Sequence, residues 1–186
     1  MKSFECRTVQ ESMVTITELM IPSYANFGGK IHGGIILSMM DKAAYAAASK
    51  HSGAYCVTVS VDNVNFRQPV DVGDLVSLKA SVNYVGRSSM VIGIRVEAEN
   101  VKLGIVKHTN TSYFTMVAKD DNGNLIEVPK LKLETEKEVR RYASAILRKK
   151  MNIGFGKDYI ESKKKFSLEE EIEKLKGERC KIEIQS

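Results

Sequence analysis

The chain has little of what usually announces a chemical framework. Its three cysteines, Cys6, Cys56 and Cys180, lie far apart with no C-x-x-C among them, which speaks against a disulfide framework and against a zinc knuckle. Its three histidines, His32, His51 and His108, show no ligand spacing, so no metal is expected. Gly28-Gly29-Lys30 lacks both the spacing of a phosphate-binding loop and the hydroxyl residue after its lysine. No apolar run follows Lys2, and no window approaches ~18 uninterrupted apolar residues. The expectation is a cytoplasmic, soluble chain with no membrane insertion. There is no internal repeat and no strand–helix–strand alternation, which argues against a doubly wound sheet.

What is present suffices for one good domain and an appendage. The 186 residues are 43% hydrophobic, enough for a sizeable core. The net charge is +5, but the lysines gather toward the C-terminus rather than along a core face. That pattern suggests a basic tail or an attraction for phosphate-bearing ligands, and no dedicated nucleic-acid reader.

Residues 26–50, NFGGKIHGGIILSMMDKAAYAAASK, organise the rest. From Gly34 onward, Ile36, Leu37, Met40, Ala43, Ala44, Ala47 and Ala48 recur at helical steps. The helix is apolar nearly all round and is expected inside the fold, ending near His51-Ser52 with Gly53 as C-cap. Residues 5–20 alternate through Val9, Met13, Val14 and Ile16, which predicts a first strand before the turn at Pro22–Asn26. After the helix the period changes to two. Strands are predicted over Tyr55–Phe66, Leu75–Val85, Met90–Asn100 and Val106–Val117, with a turn at Asp120–Asn124. Four successive strands after one buried helix imply an α+β fold, an antiparallel sheet wrapped around that helix. Past Pro129 the composition changes, and a boundary is drawn near residue 131. Glu134–Met151 reads as a charged helix broken by Asn152–Lys157, and Ser167–Cys180 as a second short helix with a Ser/Glu capping signal.

Several residues of the central stretch could carry chemistry. Gly33 and Gly34 sit where the first free N–H groups of the helix would stabilise a developing negative oxygen. A Gly-Gly pair is equally an ordinary turn. Asn26 can both donate and accept hydrogen bonds. Asp41 is a carboxylate in an otherwise apolar helix, either solvated on an exposed face or put to use. It lies nearly two turns beyond Gly34 and ~10 Å along the axis, too far for both to grip one reacting carbonyl. An identical helix packed antiparallel across a two-fold axis would bring its Asp41 to this Gly34. His32 reads as a loop or capping residue more readily than as a base.

In order along the chain stand N-x-x-G-x-x-H-G-G, a helix bearing Asp, V-x-x-x-x-F-x-x-P-V-x-x-G-D-x-V and V-G-R-S-S-M. Together, over roughly residues 8–150, these resemble the hot-dog-fold acyl-CoA thioesterases, in particular the cytosolic (brain-type) acyl-CoA hydrolases and their bacterial relatives. The resemblance implies hydrolysis of an acyl-CoA thioester to free fatty acid and coenzyme A, with no cofactor beyond the coenzyme A of the substrate. It implies Asn26 and Asp41 as catalytic residues and Gly33 and Gly34 as the turn that polarises the thioester carbonyl. Arg87, Ser88 and Ser89 would contact coenzyme A, Ser88 standing where many relatives have threonine. Asn63 and Phe66 would line the acyl channel, although Phe66 also reads as plain core. A homo-oligomer is implied, a dimer at least and a trimer of dimers in full. Asp41 could act as base or as nucleophile. A hot-dog module that binds acyl-CoA without hydrolysing it is the alternative.

Overall fold

The computed structural model describes residues 6–164 and 166–184. They form two compact units, Met1–Ala145 and Ile146–Ser186. In the first, a short strand β1 (Cys6–Thr8) leads into a single helical turn α1 (Val9–Ser12) and then β2 (Val14–Leu19). The single strand expected over 5–20 is therefore broken, residue 5 lying outside the described residues. The cause is local. Thr8 and Glu11 form a reciprocal capping box, with the Glu11 carboxylate accepting from the Thr8 N–H at 2.6 Å, and this nucleates a turn in the middle of an alternating run.

A 3-10 turn (Pro22–Tyr24) precedes the long helix α2 (Gly33–Ser52), which stops at Gly53 in the left-handed conformation, φ +71°. β3 (Tyr55–Val61), β4 (Leu75–Val85), β5 (Ser89–Asn100) and β6 (Ile105–Lys119) follow. β3 ends five residues before the expected Phe66, because at Asp62 the chain leaves the ladder after one last bond to the Tyr113 carbonyl. A last short strand, β7 (Lys130–Lys132), pairs parallel with β1. This pairing joins opposite ends of the domain and has no local signature.

The five long strands form one antiparallel sheet in the order β2-β4-β5-β6-β3. Its inner face presents Val76, Leu78, Val82, Ile92, Ile94 and Phe114 to Met40, Ala43, Ala44, Ala47 and Ala48 of α2, all at most 1% exposed. The alanines let the helix axis approach the sheet closely, while each large aliphatic residue so buried contributes roughly 1.5–3 kcal/mol. This is the α+β arrangement expected, with the sheet curled about one helix. β3 is an edge strand: it pairs with β6 alone, and Val59 and Val61 on it are exposed.

Helix α3 (Glu136–Lys164) runs without a break through Gly154 and Gly156, where an interruption was expected. Isolated glycines cost a helix only about 1 kcal/mol each relative to alanine, and no proline accompanies them. Its first turns stay with the sheet rather than with an extension starting at 132: Ala145 is buried, the Tyr142 hydroxyl donates to the Val85 carbonyl at 3.2 Å, and the Tyr142 ring lies 4.9 Å from that of Tyr84. In the second unit α4 covers Leu168–Lys174, shorter than expected, and Ser167 precedes it without a side-chain capping bond.

Candidate active site

The approach to α2 is a tight, hydrogen-bonded loop. Asn26 donates its N–H to the Lys30 carbonyl at 2.7 Å, and its Oδ1 accepts from the N–H groups of Gly28 and Lys30 at 2.9 and 3.2 Å. The side-chain oxygen thus holds the loop, which Gly29 completes with φ +74°. Among the described residues nothing pairs with the Asn26 amide NH2, and the residue is exposed. Outside the loop, the Lys30 ammonium meets the Asp71 carboxylate, which Lys107 also contacts at 3.2 Å.

His32 caps α2. Its Nδ1 accepts from the Gly34 N–H at 2.9 Å, so Gly34 is already engaged and cannot offer that proton to a ligand. Gly33 is different, with no partner for its N–H among the described residues. The expectation of two free amides therefore narrows to one. A Cβ on Gly33 would come within 3.3 Å of the Phe66 ring, so Phe66 lies against the open amide rather than in the core. It is 49% exposed. Asn63 is exposed in the stretch between β3 and Phe66.

Asp41 stands eight residues past Gly33, about 12 Å along the axis. It is not buried, as an all-round apolar helix would have required. Gly34, Leu37, Ser38, Asp41 and Tyr45 form one exposed stripe of α2, while the opposite side meets the sheet. Asp41 Oδ1 accepts a 2.6 Å bond from the hydroxyl of Thr58 on the edge strand. That bond fixes one carboxylate oxygen and leaves Oδ2 available. The pair opens on a concavity of about 400 Å³ whose walls include Tyr45, Tyr55, Cys56 and Met116. Thr58 was not anticipated. As one of two hydroxyl residues between valines in YCVTVSV, it gives no sign in sequence of pointing at the helix.

Arg87 and Ser88 lie in the turn between β4 and β5, and Ser89 opens β5. Gly86 donates to the Ser89 carbonyl at 2.7 Å, and the Arg87 and Ser88 carbonyls accept from Val128 and Ala118. The Arg87 side chain is exposed and unpaired among the described residues. Ser89 faces Val117, which faces Val57 beside Thr58. The turn is therefore two strand spacings, about 10 Å, from the Asp41–Thr58 end of the sheet. Gly33 and Phe66 lie together at the other end of the exposed stripe, and Asn26 sits in the loop that leads into it.

His51 is fully buried, bonded through Nε2 to the Pro129 carbonyl at 2.9 Å, and its burial pushes its pKa down; it is a core residue. Among the described residues no three His, Cys, Asp or Glu side chains gather as a metal site would need.

Residues 28–105 match the thioesterase superfamily. Protein VdlD of Helicobacter pylori is 41% identical over 148 residues, 80% of this chain and 84% of VdlD. The uncharacterized acyl-CoA thioester hydrolase YkhA of Bacillus subtilis is 34% identical over 148 residues, 80% of this chain and 86% of YkhA. The chain belongs to the acyl-CoA thioesterase family. Solved members share its hot-dog fold. A hexameric acyl-CoA thioesterase superposes with a TM-score of 0.80 at 35% identity, covering 82% of this chain and 98% of its own. The acyl-CoA hydrolase of Staphylococcus aureus, solved with butyryl coenzyme A and coenzyme A, gives 0.75 at 31% identity, with 84% and 97% covered. Alanine variants of that hydrolase at an asparagine, an aspartate and a threonine have also been solved. Those three residues are spaced by 15 and 17 positions, as are Asn26, Asp41 and Thr58 in this acyl-CoA thioesterase family member.

Proposed function

We propose that the protein hydrolyses acyl-CoA thioesters to a free fatty acid and coenzyme A, in sites each shared between two copies of the chain. The observation that carries the reading is the exposed stripe of α2, with an open amide at one end and a hydrogen-bonded carboxylate at the other. The Gly33 N–H, at the positive end of the helix, would hold the thioester oxygen as it gains charge. The Asn26 amide NH2 would orient the thioester or the attacking water. Asp41, its rotamer fixed by Thr58, would act through Oδ2, taking a proton from water or attacking the carbonyl to give a transient anhydride. The thiolate leaves with the proton that Asp41 took from water. After direct attack it instead takes one from the water that then hydrolyses the anhydride to free acid and restores the Asp41 carboxylate, so no cofactor is consumed.

The separation of about 12 Å along one helix prevents one chain from supplying both ends to one carbonyl. Two observations favour a two-fold partner. The exposed stripe carries Leu37 and Tyr45, and the neighbouring edge strand exposes Val59 and Val61 beside unpaired backbone groups, a surface that pairing would cover. Two β3 edges joined antiparallel would lay two α2 helices side by side in opposite directions, so that the Asp41 of each copy nears the Gly33 of the other. A trimer of such dimers is the assembly proposed, in line with the hexameric relative, and the cytoplasm is the proposed location, as for cytosolic relatives.

Arg87, with Ser88 and Ser89, would bind the phosphates of coenzyme A through its forked donors, and Phe66 and Asn63 would border the acyl chain. Arg87→Ala should raise KM with kcat less affected, and the loss should be larger at low salt, where exposed charges act over a longer range. An effect confined to kcat would remove Arg87 from the substrate contacts.

The direct test is thiol release from acyl-CoAs of increasing chain length, run with a strong chelator present. Stoichiometric coenzyme A and free acid, undiminished by the chelator, is the expected result. Tight acyl-CoA binding without thiol release would make the protein a binding module. Activity lost on chelation and restored by zinc would refute the metal-free mechanism.

A further inference from the structure

On the face of the sheet turned away from α2, side chains from four strands stand in register. Thr15 faces Lys79, Lys79 faces Arg95, and Arg95 faces Thr111. Two cations are thus placed directly opposite each other on neighbouring strands, an arrangement that works against strand pairing. One carboxylate answers both: Glu97 approaches Lys79 Nζ and Arg95 Nε at 2.6 Å each. In the next row Ser81 faces Gly93, which faces Tyr113. Here the floor has no room for a side chain, since a Cβ on Gly93 would lie 2.2 Å from Asn83 Nδ2.

The first turns of α3 complete the wall. Lys137 and Arg141, one turn apart on one side of the helix, both line the hollow, and neither has a hydrogen bond or ion pair among the described residues. The result is an open cavity of about 410 Å³ that faces four cations and one carboxylate. The hydroxyls of Thr15, Ser81, Thr111 and Tyr113 are further lining groups.

We propose that this cavity is a second binding site, for a small phosphorylated polyanion. The local excess of three positive charges calls for an occupant that is multiply charged. Two guanidinium groups with their planar forks favour phosphate oxygens. The volume exceeds what a lone phosphate would fill and lies in the range of about 300–1,000 Å³ typical of small-molecule sites. The hydroxyls supply the neutral donors and acceptors that such sites use for orientation. None of these residues belongs to the hydrolytic site, whose Asp41 and Thr58 lie on the inner face. An occupant would tie α3 to the sheet through Lys137 and Arg141.

The probe is inorganic tripolyphosphate, titrated calorimetrically into the full-length protein at constant ionic strength. The titration is repeated in Arg87→Ala, which removes the cation assigned to coenzyme A. Saturable binding of one equivalent per chain is expected in both. Lys137→Gln/Arg141→Gln should weaken it by about tenfold or more through the loss of two charge-assisted contacts, leaving thioester hydrolysis unchanged. Glutamine is a good helix former, so α3 should persist, which circular dichroism checks. Arg95→Gln, on the sheet rather than the helix, gives a second reading and should weaken binding likewise. No saturable binding by the unaltered protein would overturn the proposal, as would an affinity that survives both sets of changes or is lost in Arg87→Ala alone.

Discussion

Asp41→Asn should lower kcat for acyl-CoA hydrolysis by ~10²-fold or more, while acyl-CoA still binds. Asparagine has the shape of aspartate, and its Oδ1 can still accept from Thr58, so the rotamer and the surrounding concavity should survive. What the variant loses is the negative oxygen that would take a proton or attack the carbonyl. The loss therefore belongs in the chemical step, with KM for acyl-CoA little altered. Single-turnover measurements separate chemistry from binding and product release. A kcat within a few-fold of the unaltered protein would remove Asp41 from the reaction, whichever of its two roles were meant. The exposure of the residue makes the comparison clean, because neutralising an exposed carboxylate leaves no unpaired buried charge to upset the fold.

Much of this architecture was legible in the sequence, because the signals that decide it are local. The C-terminus of α2 fell at Gly53 as expected, since a glycine able to adopt positive φ closes an apolar helical run. β4 was readable to the residue and β5 to within one, because period-two alternation and the G-R-S-S turn bound them. The errors came where a local signal competed or a distant one decided. Alternation through Val9 and Met13 hid the Thr8–Glu11 capping box, although T-x-x-E was there to be read. Two glycines looked sufficient to break α3 and were not.

The candidate site was less legible, for the same physical reason. Asn26, Gly33 and Asp41 could be picked out as residue types in a helical frame. Which amide stays free, however, depends on His32 turning its Nδ1 back onto Gly34, a rotamer that no periodicity encodes. The apolar helix left open whether Asp41 is solvated on an exposed face or put to use. Its exposure depends on the sheet covering one side of α2 and stopping at β3. Thr58 joins it only through tertiary contact between an edge strand and that helix, so the hydroxyl had no mark in the sequence.

The central claim, that two copies of the chain build each site, is tested most directly by mixing two inactive variants. Asn26→Ala and Asp41→Ala should each be nearly inactive alone. If Asn26 and Gly33 come from one copy and Asp41 from the other, a hybrid dimer holds one doubly altered site and one with both residues intact. Random pairing of equal amounts makes about half the dimers hybrids, so activity should recover to roughly a quarter of that of the unaltered protein. The two variants are co-expressed with different tags, the hybrid is purified through both, and thiol release is measured per dimer. In a trimer of dimers the species carrying both tags still averages about half hybrid dimers, so recovery to roughly a quarter of the unaltered rate is the result predicted. Hybrids verified by both tags yet no more active than either parent would contradict the shared site.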